Sequence, residues 1–350
     1  MPLSAVEVVS PAFERMKSHL FKPFRLGQWL RLALVGFLAG EMGQSGGCSV
    51  RLPLEILSER SNQLQGPLGP PRGALFFVIV VLAFLLLLVL GIIFAYINSR
   101  MRFVLFDSIV NGECRIRDFW RRRSAPAFSY FLFQILLSVI GVLSVSVILG
   151  IPLFIAFTLG WFRNPGQHIL GFVLGGIILF VVFFIWVVTM VLVQVLTKDF
   201  VVPQMAIDGV SVSEGWSRLW PMMKQNQGAY AGYVGMKLLL VIAGAVITGI
   251  ASFAAMILLL IPFGGIGLVA FLMGRAAGMG WNPVTIAIAV VFATIAILTL
   301  IFLVCLIAVP SIVFFPAYAY YFFAERHPAL RALLYPPPPE SDVSALSPQP

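Results

Sequence analysis

The chain has 350 residues, of which 60% are hydrophobic and 11% charged, with a net charge of +9 and a mean hydropathy of +1.00. Several apolar runs are long enough to cross a bilayer without a charge, which excludes a soluble two-domain protein and marks an integral membrane protein. The basic excess lies between those runs, where it serves orientation and contact with anionic headgroups, and nucleic acid is excluded as the expected partner.

In chain order, Ser10-Pro11 predicts a helix start, with a capping hydroxyl followed by proline at the first helical position. Val9, Phe13, Met16 and Leu20 recur at helical spacing opposite Glu14, Arg15, Lys17 and Ser18, so residues 1–24 read as an amphipathic interfacial helix ended by Lys22-Pro23. A polytopic domain, 25–335, follows. Its first span, about 25–42, is short and includes Arg31, which is expected to snorkel. A Gly/Pro-rich connection leads to the second span, 74–97, which has no charge and measures about 36 Å against a ~30 Å hydrocarbon core.

Asn98 to Pro126 is a joint. Arg102 to Val110 continues the helix, and Asn111-Gly112 stops it. Ile116, Phe119 and Trp120 then share a face among arginines that include Arg121, Arg122 and Arg123. The joint recurs near residue 200: Phe103 aligns with Phe200, Val104 with Val201, Asn111 with Asp208, Gly112 with Gly209 and Phe119 with Trp216. There Ser211 and Glu214 have the spacing of a capping box, and Val212, Trp216, Leu219 and Trp220 repeat the apolar face. Both joints read as interfacial helices that carry aromatics into the headgroup layer.

The remaining spans are expected at about 128–149, 169–196, 229–260 and 284–309. Ile151-Pro152 is expected to interrupt the third, Ile261-Pro262 the fifth, and Pro310 to end the sixth. A proline-rich tail, 336–350, lacks the apolar content to fold. On this plan only Arg51, Arg60, Arg72, Arg163 and Arg275 fall on one side, against the other eighteen of the 23 Lys and Arg. That asymmetry places both termini and both joints in the cytoplasm of a cell-membrane protein.

No catalytic, metal or nucleotide motif is present. The 14 carboxylates are expected in loops and at helix ends, among them Asp107 and Glu113 as solvated joint charges; an absence of acids from the spans argues against ion coupling. The three histidines are isolated, and Cys48, Cys114 and Cys305 have no metal spacing, so neither cofactor nor metal is expected. Lys237 is the one formal charge well inside a span; snorkelling to the nearby interface competes with an anion or headgroup contact. Gln134 and Gln194, at related depths, read as interhelical hydrogen-bonding groups or as cavity lining. Arg121 to Arg123, Trp120 and Trp216 are the candidate headgroup contacts.

The segments SPAFERMKSHLFKPFRLGQWLRLALVGFLAGE (Ser10 to Glu41) and SRMRFVLFDSIVNG (Ser99 to Gly112) resemble a prokaryotic multi-pass membrane family of unknown function. More remotely, the hairpin-and-joint layout is similar to the membrane domain attached to some glycerophosphodiester phosphodiesterases. Their hydrolase domain, with its acidic metal-binding residues, has no counterpart here, so the resemblance implies location and architecture without activity.

The expected fold is all-α, with about six transmembrane helices in three similarly oriented hairpins. The expected function is non-enzymatic: organising or associating with lipids, with membrane protein partners, or with further copies of the chain. An uncoupled transporter or channel for a small or amphiphilic molecule is the alternative.

Overall fold

The structure, a computed structural model, describes residues 4–22, 25–41, 70–162, 166, 168–278, 280 and 282–335; over 70–76 and at 121 and 122 it describes the backbone alone. These residues form helices and turns, with no strand among them. The helices are α1 (Val9–Phe21), α2 (Leu26–Leu38), α3 (Pro70–Asn111), α4 (Ile116–Arg122), α5 (Ser124–Thr158) and α6 (Ile169–Leu196). A π-helical turn (Thr197–Val201) joins α6 to α7 (Val202–Asp208), and α8 (Val212–Gln225), α9 (Gln227–Ala276), α10 (Pro283–Ala324) and α11 (Pro328–Leu334) complete the chain.

Among the described residues, five segments are long and apolar enough to cross a membrane: Phe77–Asn111, Ser124–Thr158, Ile169–Asp208, Gln227–Ala276 and Pro283–Ala324. At 13 residues α2 rises only about 20 Å, short of a ~30 Å hydrocarbon core. The expected proline breaks are absent, since Pro152 lies inside α5, Pro262 inside α9, and Pro310 and Pro316 inside α10. Proline removes one helical hydrogen bond, but in an apolar run every other backbone group still needs an internal partner, so the helix continues through it. The segment 43–69 and the tail 336–350 lie outside the described residues.

The start of α1 also differs from the expectation. Val8, not Ser10, is the N-cap residue, and it makes no side-chain cap. One turn earlier, Ser4 and Glu7 form a reciprocal box: Ser4 N donates to Glu7 Oε2 at 2.7 Å and Glu7 N to Ser4 Oγ at 3.4 Å. The inward face is accordingly Val8, Ala12, Met16, His19 and Leu20, while Phe13 is exposed.

The chain divides into two compact units, residues 3–120 with 228–318 and residues 121–227 with 319–350. In the first, α2 runs beside the end of α3. Arg102 on α3 holds Glu41 in a buried ion pair at 2.7 Å and donates to Ala39 O at 2.7 Å. At the other end of α2, Gln28 donates to Gly112 O at 3.0 Å. Gly36 lies so close to Ile312 of α10 that a Cβ would come within 2.5 Å of its side chain. The last carbonyls of α3, which have no helical donors of their own, are met by neighbours. Arg15 donates to Ile109 O and Val110 O at 3.0 and 2.6 Å, Asn111 Nδ2 to Asp107 O at 2.7 Å, and Gly112 N, at φ 76°, to Ser108 O at 3.0 Å.

In the second unit, α5 and α6 meet through Trp161, which stacks on His168 at 5.7 Å and meets Phe172 edge-on. Phe200 of the π-helical turn packs on Phe322 and Phe323 at 5.9 and 5.5 Å. Gly215 of α8 faces Val201, where a Cβ would approach to 2.7 Å. Chain reversal after α7 uses Gly209 at φ 70°, whose N donates to Met205 O at 3.1 Å.

In both units the core lies toward the ends of the long helices: residues 101–109 and 304–318 in the first, and residues 196–206 and 319–324 in the second. By contrast, no residue is buried in the most apolar 18-residue window of α3, α5, α6 or α9. Side chains exposed over such lengths are matched to hydrocarbon.

Candidate functional site

Each joint has a tryptophan held by a residue of the preceding long helical segment. Arg100, near the end of the α3 span, has its guanidinium 5.3 Å from the rings of both Tyr96 and Trp120 and donates to Trp120 O at 2.9 Å. Trp120 is therefore half-buried against its own joint. At the equivalent place after α6, Thr197 accepts a hydrogen bond from Trp216 Nε1 at 3.2 Å. Trp216 is packed in the same way, half-buried. In both joints one residue at the end of the long helix fastens the short helix that follows.

The amphipathic α8 shows which residues remain outward. Ser211 caps its start, accepting from Glu214 N at 3.4 Å, and Val212, Gly215 and Leu219 are buried. The reciprocal half of the expected box is not made, because the Glu214 carboxylate turns to Arg218 at 2.5 Å. Arg218 also reaches Asp208 at 3.0 Å, and His327 Nε2 lies 3.3 Å from the same Asp208 oxygen. Trp220 instead is 54% exposed, and Lys224 Nζ sits 5.7 Å from its ring centroid. Among the described residues Lys224 makes no ion pair. Of Arg121 to Arg123, the first two have side chains outside the described residues, and Arg123 is half-buried.

Lys237 is only 5% exposed, so it does not snorkel to solvent. Its Nζ lies 5.9 Å from the ring centroid of Tyr233, which stacks on Tyr318 at 5.3 Å. Tyr318 in turn donates to Ala5 O at 3.0 Å. Gln134 donates to Tyr130 Oη at 2.6 Å within its own helix, and Gln194 is exposed. Among the described residues neither glutamine makes the interhelical bond that is one expectation for it.

Two carboxylates correct the expected picture of solvated charges. Asp107 and Asp199 are 2% and 6% exposed and lie within the long helical segments Phe77–Asn111 and Ile169–Asp208. Under the repeat alignment, Arg102 and Asp107 fall on Asp199 and Gln204, and all four are buried. In sequence each joint carries a polar pair five residues apart, and its members differ in charge between the two. Glu113, by contrast, is exposed beside Arg115 at 2.9 Å.

His19, buried on α1, is perturbed. Burial, and then the positive charge of Arg15, lower its imidazole from 6.5 to about 4. It is neutral at pH 7, and its Nε2 lies 3.3 Å from Gln28 Nε2, placing an acceptor there. Burial raises the Cys114 thiol, opposed by Ser108 and Arg31, which keeps it protonated and unreactive. Among the described residues no group of three or more His, Cys, Asp or Glu stands close enough to hold a metal ion. A shallow hollow of about 390 Å³ on α10, lined by Ala287, Ile288, Val291, Phe292 and Ile295, has no polar group with which to orient a ligand.

Over residues 3–333 the sequence matches the model of a family of unknown function, DUF7544. No curated protein and no solved structure matches the chain, so the likeness to the membrane domain of glycerophosphodiester phosphodiesterases has no support.

Proposed function

We propose that this chain, which belongs to the family of unknown function DUF7544, is a non-enzymatic integral protein of the cell membrane that organises surrounding lipid or membrane partners. The observation that carries this reading is the distribution of burial. The spans present their side chains outward while packing is concentrated at their ends, as suits a protein whose working surface is its contact with lipid and neighbours. The count of basic residues supports joints and termini on the cytoplasmic side. The long-helix, glycine and short-helix sequence at Gly112 and again at Gly209 supports an internally repeated architecture of similarly oriented hairpins.

An uncoupled transporter would need polar groups held along a passage. The amide of Gln134 is engaged in its own helix and Gln194 is exposed, which favours the organising reading.

Native mass spectrometry on protein gently extracted from its own membrane tests the proposal. Retained phospholipids, or a stoichiometric protein partner, are expected. A reproducible non-lipid small-molecule adduct that disappears in Lys237→Ala would overturn it in favour of transport.

A further inference from the structure

Resting on that reading, we infer that Trp220 and Lys224 at the end of α8 form a docking point for the headgroup of an anionic phospholipid. Four observations converge on the pair. First, α8 is amphipathic and fixed on its inner side by Val212, Gly215 and Leu219, so the outward direction of Trp220 is set by the fold and not by a loose rotamer. Second, the apolar face expected from sequence is not uniform. Trp216 is turned in and hydrogen-bonded to Thr197, whereas Trp220, one turn later, is 54% exposed.

Third, the charges of α8 separate by role. Arg218 is held by Asp208 and Glu214, but Lys224 stands 5.7 Å from the Trp220 ring and, among the described residues, has no carboxylate partner. A cation over an exposed indole gives one apolar plane and one positive charge at the same spot, which suits the ester and phosphate levels of a lipid. Fourth, only Asn226 separates α8 from α9, a candidate span, so the pair lies on the helix that leads into that span. Indole rings are enriched in the headgroup layer, and a lysine in that layer gains from the negative potential of the cytoplasmic leaflet. A soluble acidic protein would match the charge but would leave the exposed indole unexplained.

The test uses the full chain in nanodiscs of phosphatidylcholine with or without phosphatidylglycerol, carrying bromine on acyl carbons near the headgroup. The readout is tryptophan quenching in the wild type, Trp220→Phe and Lys224→Gln. The inference expects a quenched component that is absent in Trp220→Phe and strengthened by phosphatidylglycerol. It also expects Lys224→Gln to reduce the preference for phosphatidylglycerol by about fivefold, the value of one cation near an anionic leaflet. Equal quenching in wild type and Trp220→Phe would overturn it, and so would quenching indifferent to phosphatidylglycerol. Trp186, inside α6, separates the two levels of the argument. If lipids brominated at mid-chain quench Trp186 while Trp220 stays unquenched, the docking point fails and the membrane reading stands. If they do not quench Trp186, the membrane reading itself fails.

Discussion

Removing the buried ion pair between Glu41 and Arg102 should uncouple α2 from α3. Both side chains are nearly inaccessible, 7% and 6% exposed, and their atoms are 2.7 Å apart. Glu41→Ala removes the carboxylate that stands 2.7 Å from a buried guanidinium, which costs about 3–5 kcal/mol. Glu41→Gln keeps an acceptor for Arg102 Nη1 but loses the charge, and should cost about 1.5–3 kcal/mol, the worth of a hydrogen bond to a charged group. Replacing both members, as Glu41→Leu with Arg102→Met, removes the desolvation penalty together with the attraction but takes the donor from Ala39 O, and should cost about 1–3 kcal/mol, less than Glu41→Ala. The signature is therefore strong non-additivity in a double-mutant cycle, read from unfolding in detergent with increasing dodecyl sulfate. A buried pair is also poorly screened, so the coupling should persist at high salt. Additive single effects, or a coupling that vanishes with salt, would refute the account of how α2 is held.

His19 gives a pH dependence. Its folded value of about 4 lies below the ordinary 6.5, so the unfolded chain takes up the proton first as pH falls. The contribution is complete above pH 6.5 and is lost between 6.5 and about 4, a total of about 3 kcal/mol that His19→Gln should remove from the pH profile of unfolding. Gly36→Ala places a Cβ 2.5 Å from Ile312 and should destabilise by about 1–3 kcal/mol, with Ile312→Val restoring part of the loss. Gly112→Ala and Gly209→Ala force φ near +70° on a side chain and should each cost about 1–2 kcal/mol in the same unfolding assay. Equal stability in either variant would show that the joints do not require the left-handed turn.

The long helices were legible because apolar runs in this chain far exceed what a soluble core uses. The bounds of α6, Ile169–Leu196, coincide with the fourth expected span. Their prolines misled because a rule learned in water treats Pro152 and Pro262 as terminators, while in hydrocarbon the surrounding hydrogen bonds keep α5 and α9 intact. Asn111-Gly112 was readable as a stop because glycine at φ 76° leaves few alternatives. The burial of Asp107 just before it was not readable. Around it, Arg15 and Gln28 reach Ile109 O and Gly112 O at the end of α3, contacts between residues some 90 positions apart that periodicity does not reveal. Trp216 and Trp220 pose the same limit on a smaller scale. They are one helical turn apart and share a periodicity, and only the packing on Thr197 decides which of them is covered.

The most direct measurement of the central claim is nitroxide collision accessibility in lipid nanodiscs. Labels would replace Leu87, Phe180, Leu258 and Ile297, which are all exposed on the long helices, and Ser217 and Leu333, which are exposed on α8 and α11. The three natural cysteines would first be changed to serine. Lipid-facing spans predict frequent collisions with oxygen and few with a soluble nickel chelate at the first four sites, and the reverse at the last two. Nickel contact at the four span sites would contradict a bilayer around these helices. Exclusion of both reagents there would show that the packed core lies among the spans after all.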